Sequence, residues 1–380
     1  MRFSILGRRA QIRGIDFSLA MIIFSVTMTQ VLILTSTFIE GNRTFISFEE
    51  REAKAEGLAS EIAFSPGISG GTTSWELSST ATLIASNWTF GMSDNGKLNP
   101  FKAARLSNWS VSDWELNYDI IKASTSTTDD FKIQIVSPLK IEILSINDDN
   151  ANSILIDGTV TRFNKPIGGA KISGFAVNKT QDVAQGYTLS NSVGNFSVNV
   201  TYNFALEIDD YYSIVVFAEF GSNTQDIAIS SHLRGVGSLP AKIGRISLSN
   251  SSDFTEGYAV NVTTEFDIDT SSATVLALFP GYATGQSNHS VEILTRIPAT
   301  NIWTIDNLKS PFTGSVLYLA MGFTGSILSA ISYLNFPVTL DDEFSKAIEP
   351  SLTIQSSSST GVLIIEVRGL ILLLLVTIWS

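Results

Sequence analysis

The side chains that could do chemistry are few, and the densest group of them is rich in oxygen. The run Asn147-Asp148-Asp149-Asn150 is followed by Asp157. Ca²⁺ prefers oxygen ligands of this kind, so Asp148, Asp149 and Asp157 are candidate calcium ligands. The spacing is not that of an EF-hand loop, and a solvated turn is the preferred interpretation both here and at Asp341-Asp342-Glu343.

The short motifs that indicate common enzyme classes do not occur. There is no GxSxG, HExxH, P-loop or GxGxxG pattern, and the two histidines are His232 and His289. The chain has no cysteine, which excludes disulfides and thiolate metal sites. Trp109 and Trp114 could form a platform for glycans, although packing in a core is the preferred interpretation. We therefore expect a protein that is not an enzyme, with no cofactor and no small-molecule substrate.

The charge balance of the chain limits its partners. The 380 residues include 24 Lys and Arg against 36 Asp and Glu, a net charge of −12, and the length predicts two to four domains. The first 14 residues hold four arginines and no acid, so the remainder carries −16. A surface of this sign repels polyanions, and nucleic acid is therefore not expected as a partner.

The longest uncharged stretch near the N-terminus has the length of a membrane span. Phe17 to Ile39 contains 23 residues without charge, and a helix of that length crosses the ~30 Å hydrocarbon core of a bilayer. The cations that precede it are Arg2, Arg8, Arg9 and Arg13. This positive flank predicts a cytoplasmic N-terminus and an extracellular location for most of the chain. A cleaved secretory signal is the alternative, but such signals have shorter apolar regions and a small-residue cleavage site.

The junction Arg13-Gly14-Ile15-Asp16-Phe17 resembles the class III signal of archaeal type IV pilin-like proteins. In that family a peptidase cuts after the glycine, and the apolar segment survives as a filament core or membrane anchor. The resemblance implies a leader of residues 1–14 and cleavage between Gly14 and Ile15. Pilins carry a glutamate at the fifth mature position, where this chain has Leu19. The resemblance therefore implies the cleavage but does not decide whether the chain assembles into filaments. An uncleaved anchor is the alternative.

The pattern of residues 40–62 predicts that the helix continues beyond the membrane, giving one helix over 15–62. Apolar positions recur at helical spacing among charged ones, at Phe45, Phe48, Ala55, Leu58, Ala59 and Ile62. Pro66 cannot continue the helix.

Residues 63–140 are similar to the head of membrane-anchored archaeal surface proteins with pilin-like N-termini. The motifs that carry the similarity are Ser65-Pro66-Gly67, Trp75, Phe90-Gly91-Met92, Leu98-Asn99-Pro100-Phe101-Lys102, Leu106 and Asp130-Phe131-Lys132-Ile133. The resemblance implies a pilin-like α+β head. Within it, Asp94-Asn95-Gly96 predicts a tight turn, and residues 130–136 alternate like a half-buried strand.

Short strands and turns follow from residue 141. Ile154–Thr161, the turn Lys165–Gly169 and the Gly-X-Phe strand within Ser192–Val200 resemble carboxypeptidase-regulatory-like or bacterial Ig-like modules. Those modules are antiparallel β-sandwiches that act as spacers between domains or as binding modules. Ser213–Ala218 is similar to Ser315–Ala320 at an offset of 102 residues, which predicts two tandem sandwiches at 141–238 and 243–340.

Two apolar segments near the C-terminus are ambiguous. Gly314–Leu334 lacks charge over 21 residues, but its repeat counterpart carries acids, so a hairpin is preferred over a membrane span. Residues 341–360 are predicted to form a linker. Residues 361–380 form an apolar C-terminal segment that contains Glu366 and Arg368. We expect this end to be a membrane anchor with its charges near the outer interface. The alternative is a last strand that closes the head.

Nine Asn-X-Ser/Thr acceptors follow the apolar stretch and support a glycosylated exterior. They are Asn42, Asn87, Asn108, Asn178, Asn195, Asn199, Asn250, Asn261 and Asn288.

The sequence thus predicts a mainly β protein with a long N-terminal helix, a pilin-like α+β head and two Ig-like sandwiches. The expected function is that of a membrane-anchored cell-surface protein with a structural or adhesive role, as a pilin-like or surface-layer-associated spacer. Its expected partners are the membrane and other pilin-like or surface-layer subunits. The alternatives are a solute- or glycan-binding module that serves a transporter, and an accessory subunit of a surface hydrolase.

Overall fold

A computed structural model describes most of the chain. The described residues are 21, 24–33, 49–94, 97–106, 116, 118–207, 210–235, 239–242, 245–250, 260–266, 270–279, 291–304, 315–336, 358–367 and 369–379. The chain divides into two compact units, Met1–Lys54 and Ala55–Ser380.

Two helical stretches belong to the N-terminal part. Residues 24–33 form α1 and residues 49–64 form α2, while 34–48 lie outside the described residues. The continuous helix over 15–62 therefore stays a prediction. In the described part of the chain, no helix combines the length and apolar character that a membrane span needs. Much of Phe17–Ile39 is not among those residues.

The second unit begins with an α+β head. Its elements after α2 are a 3-10 turn at Trp75–Leu77, α3 (Thr80–Ala85), β1 (Ser93–Asp94), β2 (Lys97–Leu98), α4 (Pro100–Leu106), α5 (Tyr118–Ala123) and β3 (Asp130–Val136). β1 and β2 pair as a hairpin with Asp94 opposite Lys97, which is where the tight turn was predicted. The strand β3 alternates between buried and half-buried side chains, as its sequence indicates.

The first sandwich follows β3 almost directly. Its strands are β4 (Leu139–Asn147), β5 (Ser153–Arg162), β6 (Lys165–Pro166), β7 (Lys171–Asn178), β8 (Val183–Leu189), β9 (Asn195–Thr201), β10 (Asp210–Phe220) and β11 (Thr224–Arg234). The hydrogen-bonded order is β11-β10-β7-β8-β9-β5-β4. Only Gln185 and Thr201 pair between β8 and β9, so the strands separate into two layers, β4-β5-β9 and β8-β7-β10-β11. Alternating side chains from both layers fill the core between them.

The second sandwich repeats this arrangement. Its strands are β12 (Ala241–Lys242), β13 (Arg245–Asn250), β14 (Val260–Glu265), β15 (Ser272–Leu278), β16 (Val291–Ile293), β17 (Thr295–Arg296), β18 (Ile302–Thr304), β19 (Val316–Thr324) and β20 (Ile327–Phe336). One sheet has the order β13-β14-β18-β17, and the other has β12-β20-β19-β15-β16. The hairpins β10–β11 and β19–β20 occupy equivalent places, at the offset of 102 residues seen in the sequence.

The two sandwiches pack against each other through the faces of these hairpins. Val216 in β10 and its counterpart Tyr318 in β19 point into their own cores. Val215 and its counterpart Leu317 join one apolar cluster that both sandwiches contribute to. Because both faces of these strands are buried over 316–322 and 330–336, the segment Gly314–Leu334 carries no charge. The described residues of that segment form a β-hairpin, not a membrane span.

The C-terminal segment is the largest departure from the preferred expectation. Its residues form β21 (Ser358–Val367) and β22 (Leu370–Trp379), and the sheet order is β21-β22-β3. The expected membrane anchor is therefore wrong, and the alternative of a last strand holds. The leucine run looked helical because β22 is apolar on both faces, with Leu372 and Leu374 buried and Leu373 between them half-buried.

From Ala55 onward, helix α2 packs on the inner face of this sheet. Four of the apolar positions predicted for the helix are buried in one cluster with the sheet: Ala55, Leu58, Ala59 and Ile62. Gly361 permits the contact, because a Cβ there would lie 2.6 Å from the backbone of Ala55. The same core continues into the second sandwich, where the rings of Phe101 and Phe336 lie 5.4 Å apart.

Candidate functional site

Several of the residues singled out from the sequence lie outside the described residues. These are the leader-cleavage pair Gly14 and Ile15, the tryptophans Trp109 and Trp114, the acidic run Asp341–Glu343, and the acceptors Asn42, Asn108 and Asn288. The hypotheses that depend on them stay predictions.

The candidate calcium ligands do not converge on one point. The Oδ2 atom of Asp148 lies 3.0 Å from His232 Nε2 and 3.9 Å from Arg234 Nε, so this carboxylate faces two basic side chains. Asp157 accepts a hydrogen bond from the Ser145 hydroxyl at 3.1 Å. Among the residues that the structure describes, no three metal-binding side chains form a group. The geometry therefore favours a turn closed by a cation–carboxylate contact.

The described glycosylation acceptors differ in exposure. Asn87, Asn195 and Asn199 are exposed. Asn178 is only 4% exposed, and its amide is used within a turn: the side-chain oxygen accepts from the backbone N–H of Asp182 at 2.8 Å. An oligosaccharide needs a free amide nitrogen, so the folded chain disfavours a glycan at Asn178, and glycosylation of the nine acceptors stays a prediction.

The head motifs that carry the family resemblance meet in one place. The Lys102 ammonium group donates to the carbonyls of Pro66 and Ser93 at 2.6 and 2.9 Å, and the Trp75 indole donates to the Gly91 carbonyl at 2.7 Å. Gly91 has no room for a side chain, since a Cβ there would lie 2.3 Å from the Ser65 carbonyl oxygen. These motifs build the interior of the head.

Two ionisable groups in this interior have shifted pKa values. Burial lowers the pKa of Lys102, and the carboxylates of Glu76 and Asp94 oppose that shift. Burial likewise raises the pKa of Glu76, which Lys102 opposes. Both shifts follow mainly from loss of water around a charge, so the pair behaves as a structural feature of the head core.

A polar network lies within the apolar interface of the two sandwiches. The Tyr211 hydroxyl is 3.0 Å from the Ser213 hydroxyl, 3.1 Å from that of Ser231 and 3.0 Å from that of Tyr333. Ser231 and Tyr333 are counterparts at the 102-residue offset. The network therefore joins equivalent strands of the two sandwiches.

The loop end of the first sandwich carries a cluster that the sequence analysis missed, the basic tip, made of Arg162, Phe163, Lys165 and Phe220. The Arg162 guanidinium lies 5.6 Å from the ring centres of both Phe163 and Phe220. Phe163 and Asn164 both have positive φ, 50° and 60°, in the two-residue turn between β5 and β6. A phenylalanine where hairpin turns prefer Asn or Gly was the signal in the sequence that could have revealed the tip.

Comparison with known proteins yields no family. No family model matches the chain, and no curated protein matches it. Among solved structures, a segment of two fibronectin type III domains from chicken tenascin is 13% identical, covers 51% of this chain and 96% of its own, and has a TM-score of 0.18. Red sea bream transglutaminase is 7% identical, with coverages of 53% and 31% and a TM-score of 0.19. A β-1,2-glucanase from Parabacteroides distasonis is 11% identical, with coverages of 55% and 37% and a TM-score of 0.17.

Proposed function

We propose that this chain is a structural or adhesive protein of a cell surface, held in the membrane by its N-terminal apolar segment. In this proposal residues 1–14 are a leader, 15–62 is a long helix, and the remainder is an extracellular body with a pilin-like head and two Ig-like sandwiches. The packing of α2 across the sheet β21-β22-β3 carries the proposal. A helix that follows an apolar segment and then covers an antiparallel sheet is the plan of a pilin-like subunit.

The packing of the two sandwiches supports the proposal that the extracellular part of the chain is a rigid body. The apolar cluster between them and the core shared by the head and the second sandwich bury apolar surface on both sides of β19. A backbone hydrogen bond also connects the head to the first sandwich, because the Ile371 N–H donates to the Asn223 carbonyl at 2.7 Å. Removing such surface from water is the main stabilising contribution available to a chain without disulfides.

The leader is tested by mass spectrometry of the N-terminal peptide of the native protein. We expect Ile15 as the first residue. Intact Met1 in all molecules would contradict the cleavage and favour an uncleaved anchor.

The location is tested with a thiol probe, since the chain has no cysteine of its own. Leu144 is 63% exposed in the first sandwich, so Leu144→Cys introduces one accessible thiol. A membrane-impermeant maleimide should label this variant on intact cells, with the unmodified chain as the blank. Labelling that requires cell lysis would refute the extracellular location.

A further inference from the structure

The basic tip presents an arginine whose Nε donor has no acceptor among the described residues. The guanidinium of Arg162 contacts the rings of Phe163 and Phe220, and its Nε atom is buried with no hydrogen-bond acceptor among the described residues. The carboxylate of Glu219, next to Phe220, accepts from the Gln225 amide instead. Arginine has five N–H donors and no acceptor, and contact with two rings restricts the positions that the guanidinium can take.

Phe163 is held outward in a conformation that a phenylalanine rarely adopts. Its φ of 50° lies in the left-handed region, and its side chain is 61% exposed. Lys165 pairs with Arg162 across the turn and is exposed as well. Strained residues of this kind are concentrated at sites of recognition, because the surrounding structure must hold them in place. The basic tip thus combines an exposed apolar ring, that of Phe163, with the two cations Arg162 and Lys165.

The charge of the chain indicates what such a tip binds. The net charge is −12, so another copy of the same chain carries an excess of carboxylates that can pair with two neighbouring cations. Arginine pairs with carboxylates through parallel hydrogen bonds, and the exposed ring adds an apolar requirement. The matching surface must therefore present a carboxylate beside exposed aliphatic side chains.

The outer face of β21 has this composition. Val362, Ile364 and Glu366 alternate along one face of the strand, and all three are exposed, Ile364 by 70%. The opposite face of the same strand is buried in the head. Exposed apolar side chains that line up on one sheet face typically mark an interaction surface.

We propose that the basic tip of one copy docks on the outer face of β21 in a second copy. Phe163 packs on Val362 and Ile364, and Arg162 and Lys165 pair with Glu366. The contact joins two different surfaces of the same chain, which is the heterologous type of association. It goes beyond the proposed function, since it does not require the N-terminal anchor.

Cysteine crosslinking tests which surfaces meet. Two single-cysteine variants of the full chain, Lys165→Cys and Glu366→Cys, are purified in detergent, mixed and treated with a short bis-maleimide. We expect crosslinked dimers in the mixture and not in either variant alone. Leu144→Cys mixed with Glu366→Cys is the control pair, because Leu144 is equally accessible. Dimers at the control level in both mixtures would overturn the proposal.

Charge exchange tests the pairing. Lys165→Glu should weaken self-association of the full chain about tenfold in sedimentation equilibrium, and adding Glu366→Lys to the same chain should restore part of it, because Arg162 remains a cation beside that position. Failure of the second change to restore association would overturn the pairing.

A third variant separates association from folding. Phe163→Asn should weaken association to a similar degree while leaving the thermal midpoint unchanged or higher, because asparagine suits a positive φ. If this variant associates as strongly as the parent chain, the Phe163 ring is not part of the contact.

Discussion

The hydroxyl groups of Tyr211 and Tyr333 lie 3.0 Å apart, although the two residues belong to different sandwiches. Ser213 and Ser231 complete the network around them. Burial raises the pKa of Tyr333 well above its usual value, so its hydroxyl keeps its proton and stays a donor. Directional bonds inside an apolar interface favour one rotation of the sandwiches over the others that apolar contact alone would allow.

The first prediction follows from this network. Tyr333→Phe should lower the free energy of unfolding by about 1–3 kcal/mol, because buried hydroxyls of Ser213 and Tyr211 lose a partner. Urea denaturation of the full chain measures the change. Tyr187→Phe is the control, since Tyr187 is exposed, and its effect should be within about 0.5 kcal/mol. Equal losses in the two variants would show that the network contributes no stability.

The second prediction compares two glycines that differ in their surroundings. Gly91→Ala should lower the free energy of unfolding by about 3 kcal/mol or more. The added Cβ would lie 2.3 Å from the Ser65 carbonyl oxygen and 2.6 Å from the Gly67 nitrogen. Gly57 lies inside α2 with no atom within 4 Å of an added Cβ.

Gly57→Ala should therefore stabilise the chain, by up to about 1 kcal/mol. Thermal unfolding of both variants checks the pair. A tolerated Gly91→Ala would mean that the close contact between residues 65–67 and 91 is not part of the fold.

The parts of the fold that the sequence predicts are those with a local period. The alternation in β3, the apolar face of α2 and the offset between Val215 and Leu317 are each visible in the residues themselves. The face-to-face packing of the sandwiches is not, because a strand buried on both faces reads like a membrane segment. The same physical ambiguity made residues 361–380 look like an anchor.

The candidate site was harder to predict than the fold. Arg162 and Phe163 lie next to each other in sequence, but Phe220 reaches them only through the pairing of distant strands. Asp148 was a candidate metal ligand, with a solvated turn preferred, and its basic neighbours His232 and Arg234 could not be foreseen because they come from a strand more than 80 residues later. Spacing alone cannot distinguish a carboxylate that faces cations from one that is open to a metal ion.

The third prediction concerns glycosylation. In the native protein, glycans should occur on exposed acceptors such as Asn87, Asn195 and Asn199 and be absent from Asn178. The amide of Asn178 is buried and donates to the Asp182 carboxylate at 3.2 Å, so an enzyme that acts on the folded chain cannot reach it. Glycopeptide mass spectrometry measures occupancy at each position. A modified Asn178 would show that transfer precedes folding or that this turn opens.

The last prediction concerns the pH dependence of stability and rests on Glu219. Burial raises its pKa above 4.5, and the hydrogen bond from Gln225 and the charge of Lys171 oppose the shift without cancelling it. Well below pH 4.5 the Glu219 carboxyl is protonated in both the folded and the unfolded chain, so its titration does not change the free energy of unfolding there.

As the pH rises from 4.5 through the raised pKa, the unfolded chain loses this proton first. The folded state then binds more protons, and its stability falls over that window. Glu219→Gln removes the titration but keeps an acceptor for Gln225, so the variant should gain stability relative to the parent chain as the pH rises above 4.5 through the raised pKa of Glu219. Urea denaturation at a series of pH values measures the difference, with Glu142→Gln on the exposed face of β4 as the control. A difference that does not change with pH would mean that the Glu219 carboxyl has the same proton affinity in both states.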